Sequence, residues 1–118
     1  MKVFLDTNFV IDLFRFKIDP AEIFDLLPDS QLFVLDSVVR ELKLLAGSKK
    51  SDSKPAKIAL EFVETLKKIP TNKNPDKAFL DLDKHDIVAT NDIELRKKLT
   101  EKKIKTIYLR ARKHLELS

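Results

Sequence analysis

The sequence predicts an α/β fold: a central parallel sheet with helices on both of its faces. Three observations predict it. The apolar runs Val3-Phe4-Leu5, Leu32-Phe33-Val34-Leu35, Ile87-Val88-Ala89 and Thr106 to Leu109 are short and continuous rather than alternating, as strands covered on both sides are. Segments of helical periodicity separate them, so the chain reads as successive βα units. Two of the runs also end alike, passing into a carboxylate, a hydroxyl and an amide, at Asp6-Thr7-Asn8 and at Thr90-Asn91-Asp92. Parallel sheets bind ligands outside the carboxyl ends of their strands, so these two ends are where function is expected.

The elements follow in order. Val3 to Leu5 is a buried strand, and Asn8 is expected to cap an apolar helix over Phe9 to Phe16. Asp19-Pro20 reads as a cap with proline at the first helical position, opening a helix to Leu27. Pro28-Asp29-Ser30 turns the chain into the Leu32 to Leu35 strand. Asp36-Ser37 caps a helix over Val38 to Ala46, which Gly47 closes. Ser48 to Lys54 is polar and reads as a flexible loop. Pro55 opens a helix to Lys68 with Ala59, Phe62, Val63 and Leu66 on one stripe. A short helix over Asp76 to Asp83, the Ile87 to Ala89 strand, a charged helix over Asp92 to Lys102 and the Thr106 to Leu109 strand complete the pattern, followed by a basic tail.

A chain of 118 residues fits one domain, 1–118, with a real core. Charged residues reach 36%, above the ~25% usual for soluble domains, and the Lys- and Glu-rich balance resembles a heat-adapted composition. Without cysteine there is no disulfide, no thiolate metal site and no Cys nucleophile. No apolar run approaches the ~18 residues of a membrane span, and Asp6 falls where a signal peptide keeps its apolar segment, so no membrane partner and a cytoplasmic location are expected. A net charge of +4 permits binding to a polyanion without demanding it.

Three acids stand out. Asp6 follows three apolar residues and should be shielded from water, where an unpaired carboxylate is costly and a metal ion removes the cost. Most helical Glu residues are solvated, but Val38, Glu41, Leu42 and Leu45 fall at i, i+3, i+4 and i+7, which puts Glu41 on or beside a buried stripe. Asp92 by itself is an ordinary first-turn helix acid, and Asn91 with Glu94 fits a capping box. Beside Asp6 at a neighbouring strand end, it becomes a candidate metal ligand. Carboxylates converging on one spot need a cation, and oxygen-only ligands suit Mg²⁺ or Mn²⁺. Such ions activate water and neutralise charge on a phosphodiester, so a carboxylate cluster on a basic domain points to phosphodiester hydrolysis.

Asp6-Thr7-Asn8 at the start, Glu41 on the helix after the second strand and Thr90-Asn91-Asp92-Ile93-Glu94-Leu95 near the end together resemble the PIN-domain ribonucleases, in an order and spacing that cover the whole chain. The segment from Ile87 through Arg110 looks most like archaeal single-domain PIN proteins, which are similar to the nucleases that trim small-subunit ribosomal RNA precursors. The opening also resembles the more distant VapC toxins. The resemblance implies a three-layer α/β/α architecture with a central parallel sheet of about four to five strands. It implies Mg²⁺- or Mn²⁺-dependent endonucleolytic cleavage of RNA, with Asp6, Glu41 and Asp92 as metal ligands. Thr7, Asn8, Thr90 and Glu94 would hold those ligands in place. The family's further acid begins a helix, and in that register this chain has Lys77, with Asp76 one residue earlier. Two expectations compete there: Asp76 serves as the fourth catalytic acid, or the Lys77 ammonium fills part of the metal site and weakens metal use.

Arg15, Arg40, Lys77 and Arg96 are the candidates for phosphate contact, while His85 and His114 read as surface residues. The expected partner is RNA, either single-stranded or a structured rRNA or tRNA. The leading expectation is an endoribonuclease of rRNA processing or RNA turnover. A VapC-type toxin with an antitoxin partner is the alternative within the enzyme class, and an RNA-binding scaffold that has lost catalysis is the rival from another class. The resemblance also allows a homodimer, for which the apolar faces of Phe9 to Phe16 and Ile23 to Leu27 are available unless they are core.

Overall fold

The computed structural model describes residues Met1–Ser118. Its twelve elements, in chain order, are β1 (Lys2–Leu5), α1 (Thr7–Arg15), α2 (Glu22–Leu26), β2 (Gln31–Leu35), α3 (Asp36–Ala46), α4 (Ser53–Val63), β3 (Lys67–Ile69), α5 (Pro75–Leu80), β4 (Ile87–Ala89), α6 (Ile93–Glu101), β5 (Lys105–Arg110) and β6 (His114–Leu117). The strands form one sheet in the order β3-β2-β1-β4-β5-β6. All neighbours are parallel except β5 and β6, which form an antiparallel hairpin. The expected parallel sheet between helices is therefore present, with six strands and one antiparallel edge.

The chain walks from β1 outward to β3, then returns to place β4 on the other side of β1. Right-handed crossovers accordingly put the helices after β1 and β2 on one face and those after β3 and β4 on the other. The contacts follow this division, with α1, α3 and α4 packed on one another and α5 packed on α6. A single cluster of 28 buried apolar residues fills both interfaces, including Phe9, Leu13 and Leu42 as well as Phe79, Leu95 and Leu99. Phe4 and Phe33 sit opposite each other on β1 and β2 and stack at 5.6 Å between ring centroids. The reversal between β1 and β4 is a topological switch point, where a crevice opens above the strand ends.

Several local expectations are corrected. Asn8 does not cap α1; Asp6 does, its Oδ1 accepting from Thr7 N at 2.8 Å. Asp19 accepts from Ala21 N in a turn, so the following helix starts only at Glu22 and lasts five residues. Asp36 lies inside α3 and accepts from Thr71 N at 3.0 Å, fastening the chain that leaves β3. The helix expected to run to Lys68 stops at Val63, because Lys67 to Ile69 extend alongside β2 as β3. The basic tail returns as β6. Its three-residue connection holds Ala111 and Arg112 in the left-handed region, at φ 53° and 58°. No helix is long and apolar enough to cross a membrane.

Candidate active site

The crevice at the switch point is a cleft of about 520 Å³. Six of its lining residues are acidic, Asp6, Asp12, Glu41, Asp52, Asp76 and Asp92, and its one basic residue is Arg15. Asp6 leaves the tip of β1, Glu41 comes from the second turn of α3, Asp76 from the first turn of α5, and Asp92 from the N-cap of α6. Four separate βα junctions thus aim one carboxylate each into the same space.

Asp6 is the buried member, only 7% exposed. Its backbone N–H continues the β4 ladder to Ala89 O at 2.9 Å, so its position is set by the sheet itself. One carboxylate oxygen caps α1, and the other accepts from Thr90 Oγ1 at 2.7 Å. Thr90 is fully buried and in turn accepts from Asp92 N at 3.1 Å. Asp92 Oδ1 accepts from Glu94 N and Leu95 N at 3.0 and 3.2 Å, which caps α6. Asp92, and not the pair Asn91 and Glu94, caps that helix, and Glu94 joins this network through its backbone N–H.

Burial pushes the Asp6 pKa up to about 6, with Asp76 and Glu41 adding to the rise and the hydrogen bonds from Thr90 and Thr7 opposing it. Glu41 is raised as well, by partial desolvation in the cleft and by Asp76, while nearby Thr7 counteracts. The Thr7 hydroxyl, buried beside Glu41, makes no hydrogen bond of normal geometry. The Asp76 charge contributes to the rise at both Asp6 and Glu41, as a neighbouring carboxylate in the same cleft does.

Arg15 pairs with Asp12 at 3.0 Å and also with Asp52, so the cleft's single cation is held by two of its acids. Asp6, Glu41, Asp76 and Asp92 have no cationic partner within 4.0 Å. As the side chains lie, no three acids stand close enough together to enclose an ion. Glu41 and Asp76 are exposed and free to turn, whereas Asp6 is fixed. In kind, the donor set fits a hard divalent cation: carboxylate oxygens only, one of them buried and uncompensated.

Asp76, not Lys77, lines the cleft. Lys77 faces a different recess with Lys73 and Lys102, while its backbone N–H is taken by the cap residue Asn74 at 2.9 Å. Among the other predicted residues, Thr7, Asn8 and Arg15 line the cleft, and Thr90 stands behind it. Arg40 pairs with Asp36 on the outside of α3 at 3.5 Å. Arg96 lies over the Tyr108 ring, its Cζ 3.5 Å from the ring centroid. Neither reaches the cleft.

Sequence reasoning missed Asp12, Asp52 and the bracing role of Asn91. The Asn91 side chain donates to Asp12 Oδ2 at 2.9 Å and accepts from Leu109 N at 2.8 Å, while its backbone N–H reaches Asn8 Oδ1 at 3.4 Å. It ties β4, β5 and α1 together under the site. Asp12 was within reach, since it stands one helical turn after Asn8 on the same face. Asp52 carried no signal, in a stretch that read as flexible.

A family model described as "PIN like domain" matches residues 3–112. Ribonuclease VapC4 of Methanocaldococcus jannaschii is 33% identical over 125 aligned residues, covering 98% of this chain and 95% of that protein. The PIN domain endonuclease Utp24 superposes with a TM-score of 0.81 at 23% identity, over 99% of this chain and 90% of that one. A domain of a functionally unknown protein from Methanocaldococcus jannaschii superposes with a TM-score of 0.67 at 20% identity, over 93% and 91%. The two solved structures speak for the fold alone.

Proposed function

The chain belongs to the PIN-like domain family, and from that premise we propose that it is an endoribonuclease that hydrolyses RNA phosphodiester bonds with Mg²⁺ or Mn²⁺. One observation carries this reading. Four carboxylates meet in one cleft without a counter-ion, on a protein whose net charge is +4. Such a cleft repels RNA unless a cation fills it, and the composition offers no cysteine to bind a softer metal.

Asp6, Glu41, Asp76 and Asp92 would hold the ion. When bound, it supplies an activated water and neutralises charge on the phosphate. The chain's own residues do the positioning. Thr90 and the Thr7 N–H keep the Asp6 carboxylate in one orientation. The α6 N-terminus holds one Asp92 oxygen, leaving the other for the cleft. Arg15 offsets one of the two negative charges that Asp12 and Asp52 bring where the phosphate must approach.

Incubation of single-stranded RNA with Mn²⁺ and either wild type or Asp6→Asn tests the reading. Cleavage is expected from the wild type, with loss in Asp6→Asn of at least the ~10–100-fold that even supporting partners of metal ligands are worth. No cleavage by either protein would favour the binding-scaffold alternative. Within the enzyme class, the 33% relative bears the VapC name, whereas the Utp24 likeness is of fold. That favours a toxin-type role over rRNA processing. Growth arrest on expression, relieved by the product of an adjacent short gene, would establish it; unimpaired growth would return rRNA processing to the front.

A further inference from the structure

The first turn of α5 separates two environments of opposite sign. Asn74, Pro75 and Asp76 line the acidic cleft, while Lys73 and Lys77, on either side of them in sequence, line a neighbouring recess of about 480 Å³ with Leu80, Asp81 and Lys102. Successive helical residues point about 100° apart, so Asp76 and Lys77 look to opposite flanks of the same turn. We propose that this recess is an anion subsite that takes a backbone phosphate of the RNA strand beside the one held in the cleft. This rests on the ribonuclease reading.

The recess gathers three ammonium groups, from a loop, from α5 and from the C-cap of α6, against one carboxylate. Asp81 is held by Lys73, and its pKa is lowered by that hydrogen bond, by the Lys73 charge and by Lys102, so it stays ionised and neutralises one of the three. Lys102 Nζ donates to Leu80 O at 2.9 Å, which steadies it while leaving its charge unpaired. Lys77 makes no side-chain hydrogen bond or ion pair at all. The five arginines differ from it. Arg15, Arg40 and Arg110 are each paired with carboxylates, and Arg96 and Arg112 lie over aromatic rings. A free ammonium one residue from a cleft acid suits a strand whose phosphates repeat along its backbone. The lysine that stands in the register of an expected acid thereby gains a role of its own, outside the metal site.

Anisotropy of a labelled single-stranded RNA oligonucleotide with the full chain, with Ca²⁺ in place of Mn²⁺ to fill the cleft and at several salt concentrations, tests the subsite separately from cleavage. The Lys77→Glu, Lys102→Glu pair is expected to bind about fivefold or more weakly, with a salt slope shallower by about 1. Lys43→Glu with Lys57→Glu makes the same charge change on α3 and α4 and should stay within about twofold of wild type. Lys77→Gln alone, which removes no contact of the fold, should weaken binding about twofold to threefold. Equal losses in both Glu pairs, unchanged binding by the Lys77 variants, or no binding by the wild type overturns the subsite. Failure of the ribonuclease reading appears elsewhere, as absence of Mn²⁺-dependent cleavage by a wild type that still binds through Lys77.

Discussion

The Thr90 hydroxyl donates to Asp6 Oδ2 at 2.7 Å and accepts from the Asp92 backbone N–H at 3.1 Å. One fully buried oxygen therefore orients two of the four acids, from residues 84 positions apart at its longer link. Thr90→Val keeps the shape and loses both bonds. It is expected to cost about 1–3 kcal/mol of stability, because the partners stay buried. Since the Thr90 bond lowers the Asp6 pKa, its loss should also move the acid limb of the cleavage pH profile upward. Thr90→Ser should restore both. A pH–rate profile unmoved by Thr90→Val would show that the bond does not govern Asp6.

The pKa of Asp6 predicts a stability effect of definite sign. The folded chain raises it from 3.8 to about 6, so the native state holds this proton more tightly than the unfolded one. Stability should therefore be unaffected by this group below pH ~4, fall as pH rises to ~6, and remain lower by roughly 2–3 kcal/mol above that. Asp6→Asn removes the charge and keeps an acceptor for the Thr7 N–H. Without divalent ion, it should melt higher than wild type at pH 8 and nearly level with it at pH 4. Mn²⁺ should raise the wild-type melting temperature more than that of the variant. A variant that melts lower at pH 8 would mean that the cap outweighs the buried charge.

The placement of Asp76 and Lys77 separates two expectations that the sequence left open. With Asp76 in the cleft, Asp76→Asn should lower cleavage by about 10–100-fold. Lys77→Asp should give no gain in metal affinity, because that side chain faces the recess. Tighter Mn²⁺ binding by Lys77→Asp, measured calorimetrically, would reverse the assignment.

The parts of the fold legible in the sequence are those where burial leaves a continuous apolar run. β1, β2, β4 and β5 carry such runs, and the residues at their ends include Asp6 and Asp92. β3 and β6 were not legible, for a common reason. They are the sheet's edges, and Lys67-Lys68-Ile69 and His114-Leu115-Glu116-Leu117 carry the polar residues that edges tolerate. The β5–β6 turn also lacks the Asn-Gly or Asp-Gly pair that usually marks a hairpin. The caps were misread because Asp6, which the sequence made a spare acid, takes the capping bond as well as its place in the cleft. Asn8 is left to brace Asn91. Arg40 and Arg96 read as candidates for phosphate contact, but helix rotation turns them to Asp36 and Tyr108.

The unmarked turn makes its own prediction. Ala111 holds φ at 53°, a conformation in which glycine has no Cβ penalty. Ala111→Gly should raise stability by about 0.5–1 kcal/mol, readable as a shift in the denaturation midpoint without change of slope. A destabilised variant would mean that the loss of chain entropy outweighs the relief of strain.

The pairing of β1 with β4 sets when the site can exist during synthesis. Of the four acids Asp6 is made first, and Glu41 follows. Yet the backbone N–H of Asp6 is held by Ala89, its carboxylate by Thr90, and its companion Asp92 follows still later. A growing chain that already carries half of its acids therefore has no cleft to put them in. The cleft, and with it any reaction at these acids, can form only once the segment from Ala89 to Asp92 has been made.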